Sequence, residues 1–209
     1  MKFFLKLGFV GLLFSQGFWG NEWPMPKIEY KPKTYVCYKT SAPIKMDGKL
    51  DDEAWKTATW TDLFVDIEGR LKPKPFYDTK LKMLWDDQFF YFGVDMEEPH
   101  VWAKLRQRDT VIFKDNDFEI FLDPDGDTHN YYELEVNAFE TEWDLLLLKP
   151  YHNANKVAVD SWDIPGLITK VFVDGTLNNP KDRDKGWSVE IAIPWKALIN
   201  NYRSNNPPI

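Results

Sequence analysis

The sequence predicts an antiparallel β-sandwich, on three observations. Short segments in which apolar and polar residues alternate with a period of two recur along the chain. Asp-Gly, Asp-Asp and Asp-Pro-Asp-Gly pieces separate them, and these are the residues that turns require. Helical periodicity is confined to two stretches of a turn or so, near residues 51–58 and 194–198. About eight strands with so little helix bury their apolar faces as two packed sheets.

Taken in order, residues 35–39 give a first short strand, and 43–48 a strand entering an Asp-Gly turn. Residues 51–58 form a helical turn with Asp51 as N-cap, acids in the first turn and Trp55 as apolar anchor. Residues 63–67 suit an edge strand. Leu81, Met83 and Trp85 alternate with Lys80, Lys82 and Leu84; Asp86-Asp87-Gln88 turns the chain, and the aromatic run 89–95 returns as a hairpin. Residues 97–110 are irregular, with room for a short helix carrying Trp102, Arg106 and Arg108.

The central pair comes next. Phe118, Ile120 and Leu122 alternate with Asp117, Glu119 and Phe121. Tyr132, Leu134, Val136 and Ala138 alternate with Tyr131, Glu133, Glu135, Asn137 and Phe139. One face is therefore oily and the other carries carboxylates, an amide and rings. Residues 144–149 read as a buried strand, 150–165 as a polar loop, and 170–173 and 187–193 as closing strands. Pro194 then opens a short helix.

The N-terminus has a different character. Lys2 and Lys6 give a basic start ahead of a short apolar run over 7–14, and small residues follow at Ser15, Gly17 and Gly20. That is the pattern of a secretory signal peptide over 1–20, and the run is well short of the ~20 residues a bilayer span needs. Export to the cell surface, periplasm or medium is expected, with no membrane span after the signal is removed. Residues 21–34, with Pro24, Pro26 and Pro32, read as a stiff linker to a domain over 35–209. The polar, proline-ended stretch 200–209 suggests a chain cut short before a final strand.

The formal charge is −7, which repels phosphate backbones and makes nucleic acid an unsuitable partner. Cys37 is the only cysteine, so no internal disulfide can form and a buried inert thiol is expected. His100, His129 and His152 lie in separate loops without metal-ligand spacing.

Three groups could carry chemistry. The first is the polar face of the central sheet, with Glu119, Glu133, Glu135 and Asn137, joined by Glu190 from a late strand. Carboxylates and amides accept hydrogen bonds from vicinal hydroxyls, so this face suits a sugar; a solvated outer face neutralised by Lys80 and Lys82 reads equally from the same residues. The second is Asp123, Asp125 and Asp127, either the start of a calcium loop or an ordinary turn. The third is Glu119 with Glu133 as an acid pair for glycoside hydrolysis, by this domain or in a longer polypeptide. A structural or adhesion domain without ligand is the remaining reading.

Four blocks in order carry a resemblance: Ile44 to Trp55; Leu81 to Asp87 with Phe90-Tyr91-Phe92; Asp115 to Pro124 with residues 131–138; and Gly186 to Trp195. Over residues 42–198 the chain resembles the family 9 carbohydrate-binding modules. The resemblance implies an all-β, antiparallel jelly-roll-like β-sandwich with one or two short helices. It also implies binding of oligo- or polysaccharide, a structural calcium ion, and an association with polysaccharide-degrading catalytic domains. By position, the family's central-strand glutamate is Glu119, and one of its two sugar-clamping tryptophans falls at Phe113. The second clamp lies beyond the end of this chain, and an arginine of the family's binders falls at Glu135. Trp102 and Trp143 are further candidate stacking rings.

Overall fold

The computed structural model describes residues 31–153 and 156–198. The chain divides into Met1–Thr34 and Tyr35–Ile209, and the described strands belong to the second unit. The leader expected over 1–20, most of the linker and the tail 200–209 lie outside the described residues.

Among the described residues nine strands follow in order: β1 (Tyr38–Lys39), β2 (Thr79–Trp85), β3 (Phe89–Glu97), β4 (Asp117–Leu122), β5 (Tyr131–Asn137), β6 (Glu142–Leu147), β7 (Ala158–Val159), β8 (Ile168–Asp174) and β9 (Gly186–Pro194). Two short helices, α1 (Glu53–Thr57) and α2 (Trp195–Leu198), complete the set. One sheet has the order β1-β2-β3-β9-β8, the other β4-β5-β6-β7. Apart from the parallel contact of β1 with β2, the described pairs are antiparallel.

Register explains the core. Phe92, Val94 and Met96 of β3 and Trp187, Val189, Ile191 and Ile193 of β9 face Phe118, Ile120, Tyr132, Leu134 and Val136 of the other sheet. The period of two therefore places the predicted oily residues of β4 and β5 inside, and all but the half-buried Leu122 are buried. A second cluster lies outside the five-stranded sheet. There residues 42–60 fold back over it and bury Ala54, Trp55 and Ala58 on Leu84, Tyr91 and Ala192.

That fold-back corrects three local expectations. Residues 43–48 form no strand, because the Asp47 and Gly48 N–H groups donate to the Glu190 carboxylate, both at 2.8 Å, and not to a neighbouring ladder. The N-cap of α1 is Asp52, and its carboxylate accepts the Lys45 N–H at 2.8 Å instead of capping the helix. Residues 63–67 run beside β2 through Thr61 N–H to Leu81 O and Phe64 N–H to Thr79 O, yet make no ladder. The apolar run Leu63-Phe64-Val65 has no single face to bury, and Ile67 beyond Asp66 stays fully exposed. Cys37 is half-buried, and burial pushes its thiol up to about 11, which leaves it a poor nucleophile.

Candidate functional site

The outer face of the four-stranded sheet is built by register alone. Glu119 of β4 lies opposite Glu135 of β5, which lies opposite Trp143 of β6. One step along, Phe121 pairs with Glu133, and in the other direction Asp117 pairs with Asn137. All of these side chains point away from the core. Oxygens of Asp117, Glu119 and Glu135 lie within 4.8 Å of one another.

Loops roof part of this face, which therefore differs from the fully open surface the sequence suggests. The short 3-10 turn Ile112–Lys114 packs on β5, and the Phe113 N–H donates to Glu135 Oε2 at 2.8 Å. The Tyr151 hydroxyl donates to Glu133 from the opposite side. Glu135 retains only 1% of its exposure and Glu133 4%, while Glu119 stays exposed. What remains accessible is the Glu119 carboxylate flanked by rings. Phe113, 56% exposed, lies 6.2 Å from Trp143 at 33°, and exposed Phe121 lies 6.4 Å from Tyr131.

Crowding of like charges in a partly dry place sets the electrostatics. Burial, aided by Asp117, Glu119 and Glu133 and opposed by the Phe113 N–H, pushes Glu135 up to about 8. Burial, with Glu119, Asp115 and Glu133 nearby, pushes Asp117 up to about 7. Burial also raises Glu133 and Glu119. Near neutral pH the group therefore holds protons, so it offers both donors and acceptors to a hydroxylated ligand. Asp117 Oδ2 and the Trp143 indole N–H are buried here without a protein partner.

Two predicted members do not join the group. Asn137 is fully buried and tied up in a turn: its amide donates to Leu105 O and Asp115, and its oxygen accepts the Phe139 and Thr141 N–H groups. Glu190 lies on β9 of the other sheet, fully buried, and accepts N–H groups from Asp47, Gly48 and the Trp55 indole. Both are fasteners of the fold. Trp102 is partly exposed, and its ring partner is Lys104 at 6.0 Å, not a sheet carboxylate.

Sequence reasoning passed over Asp117, Phe121 and Tyr151. The first two were legible, since both fall on the carboxylate side of the period-two pattern. Tyr151 comes from a loop, and nothing in its neighbours announces that it reaches Glu133.

Asp123, Asp125 and Asp127 gather in the β4–β5 turn with oxygens within 4.8 Å of one another. Asp123 accepts the Gly126 and Thr128 N–H groups and Asp127 accepts that of His129, so the turn is held by its own carboxylates. Each engaged oxygen keeps a second lone pair, and Asp125 is exposed, so the all-oxygen donor set suits a hard cation.

Comparison with known proteins agrees with this architecture. The family model described as carbohydrate family 9 binding domain-like matches residues 46–207. The chain is similar to the exoglucanase XynX of Acetivibrio thermocellus, 22% identical over 173 residues, which is 80% of this chain but 13% of the relative's length. A family 9 carbohydrate-binding module from Caldicellulosiruptor kristjanssonii is similar in structure. Its cellotriose complex aligns at 20% identity and TM-score 0.50 over 76% of this chain and 66% of that one. Its glucose complex aligns at 19% and 0.52 over 82% and 70%. A Bacteroides uniformis structure aligns at 16% identity and TM-score 0.57 over 80% and 75%. With sandwich, register and sequence model in agreement over most of its length, the chain belongs to the carbohydrate family 9 binding domain-like family.

Proposed function

We propose that the chain is an exported, non-catalytic domain that holds an oligo- or polysaccharide against the outer face of its four-stranded sheet. The observation that carries the reading is the exposed Glu119 carboxylate set among Asp117 and Glu135 and beside the paired rings of Phe113 and Trp143. Vicinal hydroxyls pair with carboxyl oxygens, and the C–H face of a pyranose covers an aromatic ring. Gluco-oligosaccharides are the first ligands to try, since the structural relative was solved with cellotriose and glucose.

Where the resemblance leads one to expect tryptophan and arginine, this chain has Phe113 and Glu135. A smaller ring offers less stacking area, and the donors that an arginine would supply must come from protonated carboxyls. Affinity in the millimolar to micromolar range, about −4 to −8 kcal/mol, follows from so few contacts. Calorimetric titration with cello-, xylo- and manno-oligosaccharides tests the proposal. Glu119→Gln and Phe113→Ala should each weaken binding by about tenfold. Heats equal to dilution for every sugar would end it.

The same reading extends to export through residues 1–20 and to work beside a polysaccharide-degrading catalytic domain, supported by the match to a segment of an exoglucanase. Mass spectrometry of the secreted chain would place a cleavage after Gly17 or Gly20. A structural calcium at Asp123, Asp125 and Asp127 is part of the proposal. It would neutralise three clustered like charges, so calcium should raise Tm relative to chelator, and Asp125→Asn should shrink that shift.

A further inference from the structure

The five-stranded sheet also has an outer face, and residues 42–60 cover only part of it. The uncovered part is one row of the register: Lys80 opposite Asp95, Asp95 opposite Ser188, and Ser188 opposite Phe172. Four strands at about 4.8 Å spacing make this floor roughly 14 Å across. The covering segment supplies a wall with Lys49, Asp51 and Trp60, and the result is a cleft of about 680 Å³.

Its chemistry limits what it can hold. Three lysines, Lys49, Lys80 and Lys185, meet five acids, Asp51, Asp78, Asp95, Glu97 and Asp174. Lys80 is paired with Asp95 at 3.4 Å and Lys185 with Asp174 at 2.9 Å. The surplus of carboxylates disfavours an anionic polymer or an acidic membrane. Aromatic surface stands at both sides, with half-buried Trp60 over Lys80 and exposed Phe172 on β8. Ammonium–carboxylate pairs facing water, set between rings, offer donors and acceptors to hydroxyls and flat surface to C–H faces.

We propose that this cleft is a second saccharide-binding surface, taking a neutral oligosaccharide laid across β2, β3, β9 and β8. It lies on the opposite sheet from Glu119 and shares no residue with that site. One domain would then grip two glycan chains, or two stretches of one, and gain avidity without further contacts.

The test is an amide-shift titration of the full, isotopically labelled chain with cellotetraose, xylotetraose, mannotetraose and tetragalacturonate. A neutral tetrasaccharide should shift the amides of Lys80, Asp95, Ser188 and Phe172 together. Trp60→Ala should weaken that response about tenfold, and Glu119→Gln should leave it unchanged. Asp95→Asn serves if the tryptophan variant fails to fold, and it too should weaken the response. Shifts confined to residues 113–143 would overturn the second site and leave the first standing. Stronger shifts with tetragalacturonate, or none in the row with any neutral sugar, would overturn it as well. Shifts in the row alone would uphold it and count against the Glu119 face.

Discussion

Glu135 shows how one position can set both stability and recognition. Its folded value of about 8 stands well above the ordinary 4.5 because burial and neighbouring acids disfavour the charged form. Between those values the folded protein binds more protons than the unfolded chain, so this group's contribution is complete below pH 4.5 and is lost as pH rises through 8. Glu135→Gln should therefore flatten the fall in Tm across that window, as thermal scans at several pH values would show. Sugar affinity of the parent chain should drop over the same upper range, as the group loses a hydrogen-bond donor and its charge adds to that of the neighbouring acids. The residue type and its outward direction were legible in the alternating pattern. Its burial was not, because the roof over it comes from Phe113, as that over Glu133 comes from Tyr151, and the approach of both depends on loop paths. Glu190 shows the opposite error: an acid at an outward strand position looked free, yet three N–H groups from residues 47–55 occupy it.

The segment formed by residues 42–60 is the element that gives the second core its shape. At its turn Gly48 has φ +83°, and a Cβ there would come within 2.5 Å of the Phe172 backbone nitrogen. Gly48→Ala thus meets both an unfavourable conformation and a rigid neighbour, while Glu190→Ala strands buried donors. Each should cost about 2–4 kcal/mol. Urea or thermal unfolding would read this, with Tm lower by about 2–4 °C per kcal/mol in a domain this size. Strand elements were easier to foresee than this one. Alternation located β2, β3, β4, β5 and β9 to within two residues, because a strand's two faces see different solvents. A segment that crosses a sheet instead of joining it leaves no periodic trace. The Asp-Gly pair at 47–48 hinted at a turn and residues 51–58 at a short helix, but neither indicated the sheet that the segment covers.

For the molecule as a whole, the two sheets place the two proposed saccharide surfaces on different faces of one sandwich, and both depend on β9. That strand pairs with β3 and β8, lines the inter-sheet core through Val189, Ile191 and Ile193, and supplies the acid that binds the second core. A chain ending at residue 185 should lack cooperative unfolding and slow amide exchange, which hydrogen exchange would reveal. Asp47 and the Glu190 carboxylate that receives its N–H are 143 positions apart. On a ribosome the early segment must therefore wait, its Trp55 ring without a resting place, until almost the entire domain has emerged. Such late closure is slow by its topology, and it would let the proposed export begin while the chain is still threadable.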